Sequence, residues 1–232
     1  MKQKIILPDT SLCAIVRDEI MNPAGGIVDF VDSTAPYLEQ AVIVDTGSLD
    51  GTREKLEELK SEHPNLAVYD RAFDNYASSR NFSLSKVKTK RALVLDADER
   101  LTEKDFEKLK DIIDKNPEGY IRFDFLGIGP DYAWGTNGHN PRLFPVNGVR
   151  YVNEVAGHLE FLLKEGARFN FFDMIYSGLE IKHFNPDEEG IICKNRDWYD
   201  KVMFDNNPKA PSEVLTFHKW KKLNPRREEY RK

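Results

Sequence analysis

Short apolar runs alternate with helix-like segments over the first 113 residues, and this alternation limits the chain to few folds. The apolar runs predict buried strands over residues 11–16, 41–44, 66–69 and 91–95. The segments after them predict helices over residues 27–39 (before Pro36), 52–60, 76–86 and 102–113. Strands alternating with helices indicate βαβ units, and hence a mostly parallel sheet covered on both faces.

Two acid-rich turns follow strands of this predicted sheet, over residues 45–50 and 96–99. The carboxyl ends of parallel strands meet at one edge of a sheet, where ligands bind in such folds. We therefore expect both turns to face one crevice. Asp50 or Thr52 can cap the helix after the first turn, and Thr102 the helix after the second.

Composition narrows the class of protein. The chain has 232 residues, of which 40% are hydrophobic and 31% charged, as expected for a globular protein with a core. Its formal net charge of -5 argues against nucleic acid as a partner. The cysteines, Cys13 and Cys193, lie far apart and predict neither a disulfide framework nor a zinc site, so a cytoplasmic location is expected. No apolar run is long enough to span a bilayer.

The stretch LVLDADERL (residues 93–101) places Asp96 and Asp98 at the end of a predicted strand. Side chains of a strand alternate, so both carboxylates should lie on one side, where like charges are costly without a cation. Hard oxygen ligands favour Mg²⁺ or Mn²⁺. A simple helix cap is the alternative. A haloacid-dehalogenase-type phosphatase is disfavoured by Arg100, and an EF-hand loop by Leu101 where its glycine should be.

The order of several motifs resembles the family 2 glycosyltransferases, which have the GT-A fold and bind nucleotide sugars. The segments that carry this resemblance are SLCAIVRDE (11–19), VIVDTGSLDGT (42–52), NYASSRNFSL (75–84) and ALVLDADERL (92–101). Later segments similar to one subgroup are NPRLFPVNGVRYVNEV (140–155) and LEIKHF (179–184).

The resemblance implies a donor site for a nucleotide-diphosphate sugar, with UDP favoured, and a Mn²⁺ or Mg²⁺ ion. It implies that Asp45 contacts the base or ribose, although a turn-forming role before Gly47 remains open. It implies that Asp98 contacts the metal, and that Asp96 contacts the metal or the ribose. A bound divalent ion would stabilise the departing diphosphate.

Other candidates surround this donor site. Arg80 is expected either to bind the diphosphate in bidentate fashion or to be a surface residue of a helix. His183 matches a late histidine that completes the metal shell in several GT-A enzymes, with a structural role as the alternative. Asp50 binds the nucleotide or merely caps a helix. Further cationic candidates for phosphate are Lys182, Lys194 and Arg196.

The catalytic base is less clear, because the subgroup's usual His-Glu pair is replaced here by Ala156-Gly157. Inverting transfer needs a group that takes the proton of the acceptor hydroxyl. Glu154 is favoured. The remaining candidates are His158, Glu160 and Asp131, the last in a loop whose Tyr132 and Trp134 are candidate acceptor contacts.

The expected protein is therefore a single GT-A domain, with a nucleotide-sugar half over residues 1–119 and an acceptor half with a C-terminal helical tail over 120–232. Its acceptor would be a glycan, a lipid-linked molecule or a protein. The basic tail at 218–232 could contact an anionic membrane, or be a solvated helix. A catalytically silent nucleotide-sugar-binding module and a metal-dependent phosphatase are the competing functions.

Overall fold

A computed structural model describes residues 4–20, 22, 24–128, 140–153 and 160–184 of the chain. Its helices are α1 (Gly26–Thr34), α2 (Thr52–Leu59), α3 (Tyr76–Leu84) and α4 (Glu103–Lys115). Its strands are β1 (Leu7–Val16), β2 (Leu38–Asp45), β3 (Leu66–Asp70), β4 (Arg91–Val94), β5 (Glu99–Arg100), β6 (Ile121–Ile128), β7 (Leu143–Pro145), β8 (Val149–Asn153), β9 (Glu160–Lys164), β10 (Ala167–Arg168) and β11 (Ile175–Phe184). Short 3₁₀ turns cover Ala35–Tyr37 and Phe171–Asp173.

The four predicted strands and four predicted helices of residues 1–113 are all present. Helix α1 stops at Thr34 because Pro36 lacks the N–H that would continue it, and β2 begins two residues after that proline. Helix α4 begins with a capping box, in which Thr102 and Asp105 bond each other's backbone N–H groups. The prediction of Thr102 as the helix cap is therefore confirmed.

Within the described residues, the central sheet has eight strands in the order β3-β2-β1-β4-β7-β6-β11-β5. Pairings between β1, β2, β3 and β4 are parallel, and so is the pairing of β6 with β11. Strand β7 is antiparallel to both β4 and β6, and β5 is antiparallel to β11. The sheet is therefore mostly parallel, as predicted, with β7 inserted between its two parallel groups.

A smaller antiparallel sheet, in the order β10-β9-β8, lies in the predicted acceptor half. Helix α3 holds the small sheet through hydrogen bonds between side chains and backbone groups. Asn81 accepts the N–H of Tyr151 at 2.7 Å and donates to its carbonyl at 2.9 Å. The N–H of Ala77 donates to the Asn153 side chain at 2.9 Å. The same helix thus contacts the donor half and the small sheet.

The core lies on both faces of the central sheet. One buried cluster packs α1, α2 and α4 against it, with Phe30, Phe106 and Phe123 fully buried. A second cluster lies under α3 and the small sheet and includes Phe144 and Leu162. Within the described part of the chain, no helix has the length and apolarity needed to cross a membrane.

Candidate active site

The two acid-rich turns lie at the same edge of the sheet, as the topology predicted, and the loop after β1 joins them. The N–H of Ile20 donates to Asp50 at 3.0 Å, which ties this loop to the turn after β2. The side chain of Asn22 donates to the carbonyl of Ala97 at 2.8 Å, which ties it to the turn after β4. Three strand ends therefore form one continuous surface.

Asp45 ends β2 and is 3% exposed. Its Oδ1 accepts the N–H groups of Gly47 and Ser48, each at 2.8 Å, so the expected turn-forming role is present. Gly47 has a φ of 106°, which a residue with a side chain rarely adopts. The other oxygen, Oδ2, is buried and accepts no hydrogen bond within the described ranges. A turn role and a free acceptor oxygen are thus combined in one side chain.

Asp50 has both oxygens engaged by its own chain. Oδ1 accepts the backbone N–H of Thr52 at 2.9 Å and its hydroxyl at 2.6 Å, while Oδ2 accepts the N–H of Ile20. These bonds satisfy the first turn of α2 and fix the neighbouring loop. They favour the capping role over the predicted contact with the nucleotide.

Asp18 is a site residue that the sequence reasoning missed. It follows β1, is 8% exposed and has a φ of 53°, a left-handed conformation that is costly for a residue other than glycine. Its Oδ1 accepts the N–H of Leu49 at 2.7 Å, and its Oδ2 lies 3.8 Å from the Nε of Arg17. Burial raises the pKa of Asp18. The rule that singled out Asp45 and Asp96, an acid after a buried strand, applies equally to Asp18.

Asp96 is held between two arginines. Arg80 Nη2 donates to its Oδ1, and Arg142 Nη2 lies 3.9 Å from its Oδ2. Burial opposes ionisation of Asp96, but the two guanidinium groups outweigh burial and hold its pKa below the usual range. Arg80 is 4% exposed, so the alternative of a surface arginine is wrong.

Glu99 and Arg142 form a second buried ion pair, which the sequence reasoning also missed. Arg142 Nη2 donates to Glu99 Oε1, and Glu99 Oε2 accepts the N–H of Asp96 at 2.9 Å. Burial raises the pKa of Glu99 to about 7, against the opposing effect of Arg142. Arg142 stands in the segment NPRLF, which carried the resemblance, but its spacing from Glu99 gave no sign of contact.

Asp98 pairs with His183, and not with Asp96. Strand β4 ends at Val94, so strand alternation does not reach the two aspartates, and the prediction that it would align them is wrong. Asp98 Oδ2 lies 3.6 Å from His183 Nε2, because β5 pairs with β11 and places His183 opposite Glu99. The neighbouring Asp98 carboxylate raises the pKa of His183, because it favours the protonated imidazole. The predicted late histidine, His183, thus lies beside the turn of residues 96–99, the acid turn.

Arg100 is structural. It is 9% exposed, and burial lowers its pKa to about 10, which leaves it charged at neutral pH. Its guanidinium donates to the carbonyls of Ala97 and Glu99, at 2.7 and 2.8 Å, and to those of Ala24 and Gly26. The EF-hand alternative over residues 96–107 is wrong, because the strand β4, and not a helix, leads into Asp96.

Comparison with known proteins identifies the family. Residues 27–173 match the family described as Glycosyl transferase family 2, and this match covers more than half of the chain. The chain belongs to glycosyl transferase family 2. No curated protein sequence matches it.

Solved structures agree with the GT-A fold of this family. The structure of residues 1–349 of TarS from S. aureus in complex with UDP-GlcNAc has a TM-score of 0.58 and 12% identity, over 84% of this chain and 64% of that one. The complex of the same TarS fragment with UDP has a TM-score of 0.54 and 14% identity, over 79% of this chain and 62% of that one. This family 2 chain therefore spans less than two thirds of these TarS fragments.

Several predicted residues of this family 2 domain remain to be located. Lys182 is half-buried in β11, and strand alternation places its side chain on the opposite face from His183. Glu160 begins β9 opposite Asn153. The candidates that lie outside the described residues are Asp131, Tyr132, Trp134, Glu154, His158, Lys194, Arg196 and the tail at 218–232.

Proposed function

We propose that this family 2 chain transfers a sugar from a nucleotide-diphosphate sugar, with a UDP-sugar favoured, to a hydroxyl of a glycan, lipid-linked or protein acceptor. Transfer proceeds with inversion and uses Mn²⁺ or Mg²⁺. The family supports glycosyl transfer, and TarS, which shares the fold, was crystallised with UDP and with UDP-GlcNAc. The observation that carries the proposal is the convergence of Asp18, Asp45 and the acid turn of residues 96–99 at one sheet edge.

The site divides into two parts with different chemistry. The end of β2 offers the buried Oδ2 of Asp45, which accepts no hydrogen bond from the described residues and is suited to an N–H or O–H of a nucleoside. The acid turn, over residues 96–99, brings its carboxylates together with Arg80 from α3. Fixed positive charge next to the diphosphate would stabilise the negative charge that develops as it leaves.

The residues at the acid turn fit a divalent ion shared with the substrate. Two ligands that each lie about 2.1 Å from one ion are roughly 3–4 Å apart, and Asp98 Oδ2 and His183 Nε2 are 3.6 Å apart. Among the described residues, no group of three or more His, Cys, Asp and Glu side chains could hold an ion alone. Phosphate oxygens and water would complete the shell, as is common for Mg²⁺. When bound, the ion acts as a Lewis acid toward the diphosphate.

The proposed assignment differs in one respect from the expectation for Asp96. Its carboxylate is neutralised by Arg80 and Arg142, so it needs no metal to offset its charge. We assign direct metal contact to Asp98 and His183, and give Asp96 the role of orienting Arg80. A contact between Asp96 and the donor ribose is compatible with this arrangement.

Glu154 is the proposed base, with His158, Glu160 and Asp131 as substitutes. Glu154 follows Asn153, whose side chain accepts the N–H of Ala77 at 2.9 Å. This bond holds the end of β8 beside the start of α3, the helix that carries Arg80. Asn153, the residue before Glu154 in the sequence, is therefore held beside the helix that carries Arg80, and the base must meet the acceptor hydroxyl near the diphosphate.

The test is calorimetric titration of UDP, GDP and dTDP into the protein, with and without Mn²⁺. We expect one nucleotide to bind, and Mn²⁺ to tighten its binding. In Asp98→Asn, the factor by which Mn²⁺ increases nucleotide affinity should fall roughly tenfold or more, because the substitution removes a charged metal ligand. Asp114→Asn, at an exposed aspartate of α4 paired with Lys110, is the matched control and should behave as the parent. Binding of none of the nucleotides would refute the proposal.

A catalytically silent nucleotide-sugar-binding module is the second candidate, favoured by Ala156-Gly157 in place of the His-Glu pair. Both candidates bind the nucleotide, so binding cannot separate them. Measuring turnover of the donor in the presence of a panel of glycan, lipid-linked and peptide acceptors can separate the two candidates. Formation of a glycosylated product that disappears in Asp98→Asn would exclude the silent module.

A further inference from the structure

The acid turn concentrates three carboxylates within four positions, at Asp96, Asp98 and Glu99. Arg142 reaches two of them, since it donates to Glu99 and lies 3.9 Å from Asp96. It is distant in sequence and enters the site from the opposite half of the chain. The side chain of Arg142 is 14% exposed and that of Glu99 is 2% exposed, so the contact between them is shielded from water and from screening by salt.

The backbone of Arg142 is fixed within the central sheet. Its carbonyl accepts the N–H of Val94 at 2.7 Å, and its N–H donates to the carbonyl of Ile121 at 2.9 Å. The guanidinium also lies over the ring of Phe125, with 5.0 Å between the guanidinium carbon and the ring centroid. Arg142 is therefore held on two sides by β4 and β6 and on its face by an aromatic ring. A side chain anchored in this way can orient the group that it contacts.

The partner that Arg142 orients is the turn itself. The Glu99 carboxylate, 2% exposed, accepts the N–H of Asp96, and the carbonyl of Asp96 accepts the N–H of Glu99, both at 2.9 Å. These two bonds close the turn on which Asp98 stands. Removal of Arg142 would leave the buried Glu99 side chain without its cation. It would thereby weaken the hydrogen bond from the Asp96 N–H that closes the turn.

We infer that Arg142 is a positioning residue, which acts through Glu99 to fix the acid turn and so presents Asp98 to His183. The inference rests on the proposed function, because that function gives Asp98 and His183 a ligand to bind. Arg142 itself need not touch the ligand. The chain from Arg142 to Glu99 to the N–H of Asp96 is continuous in the structure.

Hydrogen–deuterium exchange followed by mass spectrometry tests the inference without any ligand. In Arg142→Gln, the amides of residues 95–101 should exchange roughly tenfold faster than in the parent, while those of α2 stay unchanged. Arg142→Lys keeps the charge but loses the planar guanidinium. Its amides at residues 95–101 should exchange at a rate between those of the parent and of Arg142→Gln. The double variant Glu99→Gln/Arg142→Gln removes both charges and keeps amide hydrogen bonding, so protection should return at least in part.

The matched control is Arg91→Gln, at an arginine of β4 that donates to the carbonyl of Pro117 at the other end of the strand. It should leave exchange at 95–101 within roughly twofold of the parent. Unchanged exchange in Arg142→Gln, or a double variant that exchanges as fast as the single one, would overturn the inference. If Arg142→Gln does not fold, Arg142→Lys and the double variant decide in the same way.

Titration with UDP then connects the turn to function. In Arg142→Gln, the tightening of UDP binding by Mn²⁺ should fall by roughly tenfold or more, while binding of UDP alone stays within about threefold of the parent. Equal weakening with and without Mn²⁺ would indicate general damage and contradict a positioning role. A parent protein that binds no nucleotide would refute the proposed function alone, because the exchange experiment still decides the role of Arg142.

Discussion

Arg100→Met is expected to destabilise the folded protein by about 3–5 kcal/mol, because it leaves several buried carbonyls without their charged donor. The guanidinium of Arg100 is 9% exposed and joins the acid turn to the loop after β1. It donates four hydrogen bonds to carbonyls, those of Ala97 at 2.7 Å, Glu99 at 2.8 Å, Ala24 at 2.8 Å and Gly26 at 3.3 Å. Methionine has a similar length but offers none of these donors.

The magnitude follows from what the variant leaves behind. Hydrogen bonds from a charged donor contribute about 1.5–3 kcal/mol each, and an unsatisfied buried carbonyl costs about 1–3 kcal/mol. The four contributions do not add, because burying the guanidinium has its own cost, seen in the lowered pKa of Arg100. The guanidinium carbon of Arg100 lies 5.3 Å from the centroid of the Phe30 ring. This contact contributes a smaller stabilisation, which methionine keeps in part by packing against the ring.

Urea unfolding followed by circular dichroism measures the effect. With an unfolding slope of about 1–3 kcal/mol per molar urea, the midpoint should fall by more than about 1 M. Arg100→Lys, which keeps the charge with fewer donors, should lose roughly half as much. The control Arg91→Met removes an arginine that donates to one carbonyl, that of Pro117, and should cost under about 1 kcal/mol. A loss below about 1 kcal/mol in Arg100→Met would refute the argument that Arg100 joins the acid turn to the loop after β1.

Two further predictions concern the carboxylates. Burial raises the pKa of Asp18, so stability from this group is present below the unfolded pKa and is lost as pH rises through the folded pKa. Asp18→Asn, whose amide oxygen can still accept the N–H of Leu49, should therefore be more stable than the parent at about pH 8, with a difference that shrinks toward about pH 4. It should also bind the nucleotide more weakly; a variant less stable at the higher pH would contradict this reasoning. Glu154→Gln should retain nucleotide binding and lose at least about a hundredfold in transfer rate, and full activity would move the role of base to His158, Glu160 or Asp131.

The elements of the donor half were predictable because their signals are local. A buried strand needs a short run of apolar residues, and a cap needs one polar side chain at the right position, as Thr102 shows. The shared edge of the acid turns followed from a topology rule that holds for parallel sheets in general. The motif order around Asp45 and Asp96 led to the family, which the match over residues 27–173 confirmed.

What the sequence could not show at the site has one physical cause, which is that side-chain partners depend on elements far apart in sequence. Asp96 was expected to contact the metal or the donor ribose, and the structure adds two partners that no local pattern indicated, Arg80 from α3 and Arg142 immediately before β7. The pattern of α3 could not show that Arg80 lies under the acid turn instead of on the surface. Asp98 meets His183 because β5 pairs with β11, a pairing that no local pattern specifies.

The sequence by itself determined the order of strands and helices, the edge of the sheet at which the acids gather and the family, since each rests on local spacing or on motif order. The tertiary structure alone decided which charge neutralises which. It pairs Asp96 with Arg80, Glu99 with Arg142 and Asp98 with His183. Charges shielded from water are stable only when paired, and these pairs form where the fold packs together elements that are distant in sequence.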